Sequence, residues 1–301
     1  MTAWLAFALL AAGMVVSAAP DRQFRSGIAV VRVDALVTDG RRPVSGLTAS
    51  QFELRDSGVP QTVTDLQYEE LPLNVLCVLD VSGSVAGPML EHLRRAYLSV
   101  VDGLRAGDRA ALITLASKAL LRAPLTADRA RLRSLADQLV SGGSTSLYDA
   151  VFAALALREE DSGRTLLLLL SDGRDTSSWL TAQKVVAAAR RTDVVIYPVT
   201  VGATMPIERV AGRNRLEPPA EQTAAEQFLD ALSDDTGGRV VPAADEGRLA
   251  ETLTAILKEF RERYVLSYTP TGVPAGGWHP IEVRVKGRGL TVRARRGYAG
   301  K

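Results

Sequence analysis

A doubly wound, mostly parallel α/β sheet, inserted in a small β-domain formed by the N- and C-terminal flanks, is the fold that the sequence predicts. Three observations predict it. Between Leu73 and Phe260, short apolar runs alternate with amphipathic helical patterns, as in a parallel sheet with helices on both faces. The longer runs lack period-two alternation, as strands covered on both faces do. Outside that stretch, residues 27–68 and 263–296 read as strands and turns without helical period.

The apolar runs are Val75–Leu79, Ala110–Leu115, Ala119–Leu121, Thr165–Leu170, Val194–Val199 and a weaker one at Arg239–Val241. Helical spacing joins Leu90, Leu93, Tyr97, Val100 and Leu104, then Leu132, Leu135 and Leu139, then Leu147, Val151, Ala154 and Leu155. Further helices are expected near Leu180–Arg190, Glu226–Asp234 and Leu249–Phe260. The second and third runs lie too close for a helical crossover, so the third is predicted to be an antiparallel edge strand. A doubly wound sheet then takes the order 3-2-1-4-5-6, with the first and fourth strands adjacent. In the flanks, strands are expected over Ile28–Val37, Gln51–Arg55, Tyr264–Tyr268, Ile281–Val285 and Leu290–Ala294. Turns fall at Asp39-Gly40 and Asp56-Ser-Gly, and a Pro/Gly-rich loop at 270–280. The expected division is 1–18, a signal peptide; 19–70, an N-terminal β segment; 71–260, the α/β domain; and 261–301, a C-terminal β segment packing with the first.

The 301 residues are 47% hydrophobic and 23% charged, which is globular rather than disordered. A net charge of +2 gives no argument for a nucleic-acid partner. The basic stretch Arg284, Lys286, Arg288, Arg293, Arg295 and Arg296 alternates without stacking aromatics, and reads as a solvated strand face. Ala3–Val16 is an apolar run ending in Ser17, Ala18 and Ala19, short for a membrane span and suited to a signal peptide. No Lys or Arg precedes it, which leaves an uncleaved N-terminal anchor as the alternative. Export to the periplasm, the cell envelope or the medium follows as an expectation. The single Cys77 sits in an apolar run and cannot form an internal disulfide. With only His92 and His279 besides, a His/Cys zinc site is nearly excluded. His92 falls on a charged helix face and His279 in a Gly-Trp-His-Pro turn; neither reads as a general base.

The first strand of the α/β region ends in Asp80-Val-Ser82-Gly-Ser84, where a carboxylate and two hydroxyls can turn toward one point. The fourth strand ends in Ser171-Asp172-Gly173, and Thr145 lies in a Gly-Gly-Ser-Thr-Ser turn before a helix. All five are hard oxygen ligands, which favour Mg²⁺, with Mn²⁺ or Ca²⁺ as alternatives, over zinc or copper. Two carboxylates and three hydroxyls roughly neutralise a dication in an incomplete shell. Such an ion keeps a place for an incoming oxygen. Taken singly, each residue has a plainer reading as a cap or turn. Asp149 and Asp175 read as supporting or turn residues.

These residues resemble the von Willebrand factor A (VWA) domain and its metal-ion-dependent adhesion site, over about 190 of the 301 residues. The resemblance implies that Ser82, Ser84 and Thr145 contact a metal by hydroxyl, with Asp80 and Asp172 acting directly or through water. It further implies a protein partner that presents an acidic residue at the metal. The flanks look like those of bacterial VWFA-related domain proteins, at Val44-Ser-Gly-Leu-Thr-Ala-Ser-Gln-Phe-Glu-Leu, Gln61, Tyr264-Val-Leu-Ser-Tyr-Thr-Pro and Arg296-Gly-Tyr298. A metal that only stiffens loops is a second reading. A hydrolase is a third, but it would need a positioned base and a substrate pocket, and neither is readable. The expectation is therefore a binding module and not an enzyme. The Gly-rich turn lacks a P-loop's Gly-Lys-Ser/Thr ending. The long segment leaving the fifth strand at Gly202 carries Arg209, Arg213 and Arg215, which are expected to contact the partner's acidic groups.

Overall fold

The computed structural model describes residues 30–69, 71–159, 163–200, 220–243 and 245–300. The expected signal peptide and the three arginines Arg209, Arg213 and Arg215 lie outside the described residues.

The N-terminal flank holds β1 (Val31–Asp39), β2 (Arg42–Pro43), β3 (Phe52–Asp56), β4 (Val59–Gln61) and β5 (Asp65–Tyr68). The α/β region follows with β6 (Leu73–Asp80), α1 (Pro88–Asp102), β7 (Arg109–Leu115), β8 (Ala119–Thr126), α2 (Arg129–Ala136) and α3 (Leu147–Ala156). It continues with β9 (Arg164–Leu170), α4 (Ala182–Ala189), β10 (Val195–Thr200), α5 (Ala220–Thr236), β11 (Val241–Pro242) and α6 (Leu249–Arg261). The C-terminal flank adds β12 (Tyr264–Tyr268), β13 (Gly277–Val285), β14 (Leu290–Ala294) and β15 (Gly297–Gly300).

The central sheet has the order β11-β10-β9-β6-β7-β8, so β6 and β9 are neighbours as the doubly wound order requires. All its pairs are parallel except β7–β8, the antiparallel edge. That edge strand runs on to Thr126 through a bulge, five residues beyond the apolar run that marked it. All eight residues of β6 are buried, because both faces are covered. Leu73, Val75, Cys77 and Leu79 pack with α1, α2 and α6 on one face. Leu76 and Val78 pack with α3, α4 and α5 on the other.

The two flanks fold together. Strand β1 pairs with β12 and β14, and β13 pairs with β3, so each flank completes the other's sheets. Val33, Val37, Phe52, Leu54, Tyr264, Leu266 and Tyr268 form their shared core. The β3–β4 hairpin turns on Ser57 and Gly58, both at positive φ, the backbone a two-residue hairpin demands.

Arginines tie this β-domain to the central sheet. Arg164 of β9 donates to Asp34 of β1 and to the Phe260 carbonyl. Arg263, fully buried, donates to the Tyr197 hydroxyl and to the carbonyls of Asp34 and Gly237. Here the reading of the C-terminal basic stretch needs correction. Arg284, Lys286 and Arg288 are exposed as expected, but Arg295 is buried and donates to the carbonyls of Gly297 and Arg190. Arg293 and Arg296 reach Gly238 and Asp234 at the end of α5. Arg295, between β14 and β15, is covered where α4 ends, whereas Arg293 and Arg296 remain exposed, as expected of a solvated stretch. His279 is corrected too. It lies in β13, not in a turn, and is 3% exposed.

Candidate functional site

Three loops meet at the carboxyl ends of β6 and β9. The first follows β6, whose last residue Asp80 is only 2% exposed. Its chain turns at once: the Asp80 Oδ1 accepts from the Ser82 N–H at 2.9 Å, and a short 3₁₀ turn at Gly83–Val85 carries Ser84 outward. The Ser82 and Ser84 hydroxyls are then 3.1 Å apart. The second loop, Ser141–Ser146, is bound to the first by two backbone bonds, Gly83 N to Gly143 O and Gly142 N to Val81 O. Gly143 has φ +84, and any Cβ there would collide with the Ser117 side chain, so the close approach requires glycine.

The third loop follows β9. Ser171 donates its hydroxyl to the Asp80 Oδ2 at 2.9 Å, and Asp172 accepts from the Arg174 N–H at 3.0 Å. It is bound in turn to the second loop. The Thr145 carbonyl accepts from the N–H groups of Thr176 and Ser177, and the Thr145 N–H donates to the Thr176 hydroxyl. The predicted residues Asp80, Ser82, Ser84, Thr145 and Asp172 therefore lie on three interlocked loops at one end of the sheet. Asp80, Ser82 and Thr145 are buried at its base, and Ser84 is exposed at its rim.

The electrostatics are unbalanced. Burial pushes the Asp80 carboxyl above its ordinary value, hydrogen bonds from Ser82 and Ser171 offset part of that, and the negative charge of Asp172 adds to the push. Among the described residues no basic side chain pairs with Asp80. The exposed Arg174 lies 3.8 Å from Asp172. Two carboxylates of like charge beside three hydroxyls form a donor set that a hard dication fits. No group of three or more His, Cys, Asp or Glu residues that could hold a metal occurs among the described residues.

Ser171 and Ser117 were not foreseen. Ser171 hides in Ser-Asp-Gly, which reads as a turn around its aspartate; its position directly after a buried strand was the available signal. Ser117 accepts from the N–H and hydroxyl of Ser144 across 27 residues, and nothing local announces that contact. Asp149 and Asp175 hold backbone amides, in keeping with a supporting role: Asp175 accepts from Leu147 N, and Asp149 from Trp179 N and Leu180 N.

A family model described as the von Willebrand factor type A domain matches residues 74–254. The chain is 31% identical over 151 residues to inter-alpha-trypsin inhibitor heavy chain H4 of Bos taurus, covering 46% of this chain and 16% of that protein. An uncharacterized protein of Synechocystis sp. is 27% identical over 152 residues, covering 48% and 35%. The chain thus spans a minor part of the curated relatives it matches. Among solved structures, a von Willebrand factor type A protein from Catenulispora acidiphila superposes with a TM-score of 0.53 at 13% identity, covering 80% of this chain and 71% of that one. The vWF domain of the type V pili tip protein Mfa5 from Porphyromonas gingivalis gives 0.50 at 12% identity, covering 62% and 94%.

Proposed function

The chain belongs to the von Willebrand factor type A domain family, and on that premise we propose that it is a protein-binding module that works through a divalent cation. Asp80, Ser82, Ser84, Thr145 and Asp172 would hold the cation, Mg²⁺ first and Mn²⁺ or Ca²⁺ as alternatives. When bound, it supplies positive charge with a free coordination place for an anionic oxygen. The partner contributes that oxygen from an acidic side chain.

One observation carries this reading. A nearly fully buried carboxylate, Asp80, feels the charge of a second carboxylate, Asp172, and among the described residues its hydrogen-bond donors are neutral hydroxyl and N–H groups. A cation removes that imbalance. The role assigned is binding, not catalysis: His279, one of two histidines in the chain, is taken up by Asp56 in the β-domain. We assign the exported side of a bacterial envelope as its setting, on the apolar run Ala3–Val16. No helix among the described residues is long and apolar enough to cross a membrane. The pili tip protein, at 12% identity, speaks for the fold alone.

A ligand at 100 times its dissociation constant stabilises the native state by about 2.7 kcal/mol. Thermal melts with Mg²⁺ and with chelator should differ for the native chain and coincide for Asp80→Ala and Thr145→Ala. Equal Mg²⁺ shifts in native and variant proteins would remove the assignment.

A further inference from the structure

The helix that follows Thr145 is capped from an unusual direction. Its N-cap residue, Ser146, makes no side-chain cap. The first N–H groups of α3 are instead satisfied by a carboxylate on the other loop. Asp175 Oδ1 accepts from Leu147 N at 2.8 Å and Tyr148 N at 3.3 Å, and from the Ser178 hydroxyl at 2.6 Å. The exchange is reciprocal. Asp149, in the first turn of α3, accepts from Trp179 N with Oδ2 and from Leu180 N with Oδ1, both at 3.0 Å, where the third loop leads into α4. Ser178 closes the circuit by accepting from the Asp149 N–H.

A helix capped by its own preceding residue is fixed to itself. Here each loop's amides are held by the other loop's carboxylate. The second loop carries Thr145 and the third carries Asp172, so the exchange fixes the relative placement of those two residues. We infer that Asp175 and Asp149 are positioning residues for the cation, a crossed clamp that sets the Thr145–Asp172 spacing. This rests on the cation reading proposed above.

The clamp has a testable asymmetry. Oδ1 of Asp175 makes three of its four contacts, and Oδ2 accepts only from Ser178 N at 3.3 Å. Asparagine keeps one carbonyl oxygen, so Asp175→Asn can retain nearly the whole cap. Asp149 uses one oxygen for each amide, so Asp149→Asn must drop one of them.

The experiment is titration calorimetry of the full chain with Mg²⁺, well below the melting temperature of each metal-free variant. Asp175→Ala is expected to weaken Mg²⁺ binding by about tenfold or more, the usual scale for groups that orient metal ligands. Asp175→Asn restores most of that loss, and Asp149→Asn falls between the two. Amide exchange supplies the second readout: Asp149→Asn speeds exchange at Trp179 or Leu180, while Asp175→Asn leaves both protected. Native Mg²⁺ affinity in Asp175→Ala, with only a lower melting temperature, would overturn the clamp and leave the cation site standing. Asp175→Asn as weak as Asp175→Ala would show that the cation senses charge and not placement, which also overturns it. Should Asp175→Ala fail to fold, the order of the two asparagine variants decides the matter. A native chain that binds no Mg²⁺ overturns the clamp and the proposed function together, whereas native affinity in Asp80→Ala moves the cation elsewhere and overturns the function.

Discussion

Two aspartates of this molecule are equally hidden and oppositely treated. Asp56, in the β-domain, is 0% exposed, and Asp80, at the head of the central sheet, is 2% exposed. Burial pushes both carboxyls upward. At Asp56, hydrogen bonds from Tyr268, Tyr298, His279 and Ser57 more than offset it and leave the carboxyl below its ordinary value. At Asp80, the bonds from Ser82 and Ser171 do not, and Asp172 adds to the push. The protein completes the surroundings of one carboxylate with its own donors and leaves the other short of positive charge. A buried acid with all its partners is part of the framework. One lacking them at a loop junction is a place for something from outside.

The largest expected effect lies at the completed site. Asp56→Ala would strand the hydroxyls of Tyr268 and Tyr298, each 2.8 Å from Oδ2, and the His279 ring 3.1 Å from Oδ1. Each buried polar group left without its partner costs about 1–3 kcal/mol, so the three together should cost several kcal/mol. Denaturant unfolding should show it as a lower midpoint. The pH dependence follows from the direction of the shift. A carboxyl lowered in the folded state contributes stability above its unfolded value, near 3.8, and that stability is lost as pH falls through the lower folded value. Acid unfolding below about pH 4 should therefore be less steep in Asp56→Asn than in the native chain. Identical acid limbs would show that its hydrogen-bond donors do not hold the Asp56 carboxyl below its ordinary value.

The two regions differ as much in how far the sequence reveals them. The long strands of the central sheet were legible because each is a continuous apolar run, and their order followed from the doubly wound pattern that alternating strands and helices imply. The loops carrying Asp80, Thr145 and Asp172 were legible for a related reason, since each directly follows such a strand or opens a helix. The β-domain's polar centre was not. Asp56 and His279 are 223 residues apart, and Gly-Trp-His-Pro reads as a turn because Gly276 and Gly277 do adopt positive φ. The strand begins at that bend, and only its pairing with β15 and β3 makes it one. Arg295 was misread in the same way. A basic residue there is solvated unless another layer covers it, and the cover at Arg295 is the end of α4, 105 residues earlier.

That misreading supplies a middle-sized test. Along β13 the exposed charges oppose each other across the sheet, Glu282 with Arg55 and Arg284 with Glu53. Arg284→Ala should change stability by no more than about 0.5 kcal/mol. Arg295→Ala removes the donors to two carbonyls in a buried place, and should cost about 1–3 kcal/mol. Comparable midpoints for the two variants would mean that the contact between the β-domain and the central sheet contributes little to holding the chain together.

The smallest expected effect is the most discriminating, and it returns to Asp80. Without metal, the folded chain holds this carboxylate in a buried place under the charge of Asp172, and without a basic partner among the described residues. Asp80→Asn keeps the shape and an acceptor for the Ser82 N–H, and its amide can donate to the Ser171 hydroxyl oxygen, so no buried group is stranded. It also removes the charge that burial and Asp172 both disfavour. In chelator, then, Asp80→Asn should match the native chain within about 1 kcal/mol or exceed it, against the several lost at Asp56. Adding Mg²⁺ should reverse the order, because only the native carboxylate gains from the cation. Equilibrium unfolding of both proteins in both buffers measures all four values. A deficit in chelator as large as that of Asp56→Ala would make Asp80 one more framework residue. The contrast between the two aspartates would then be one of location only, and the case for an external cation would lose its main support.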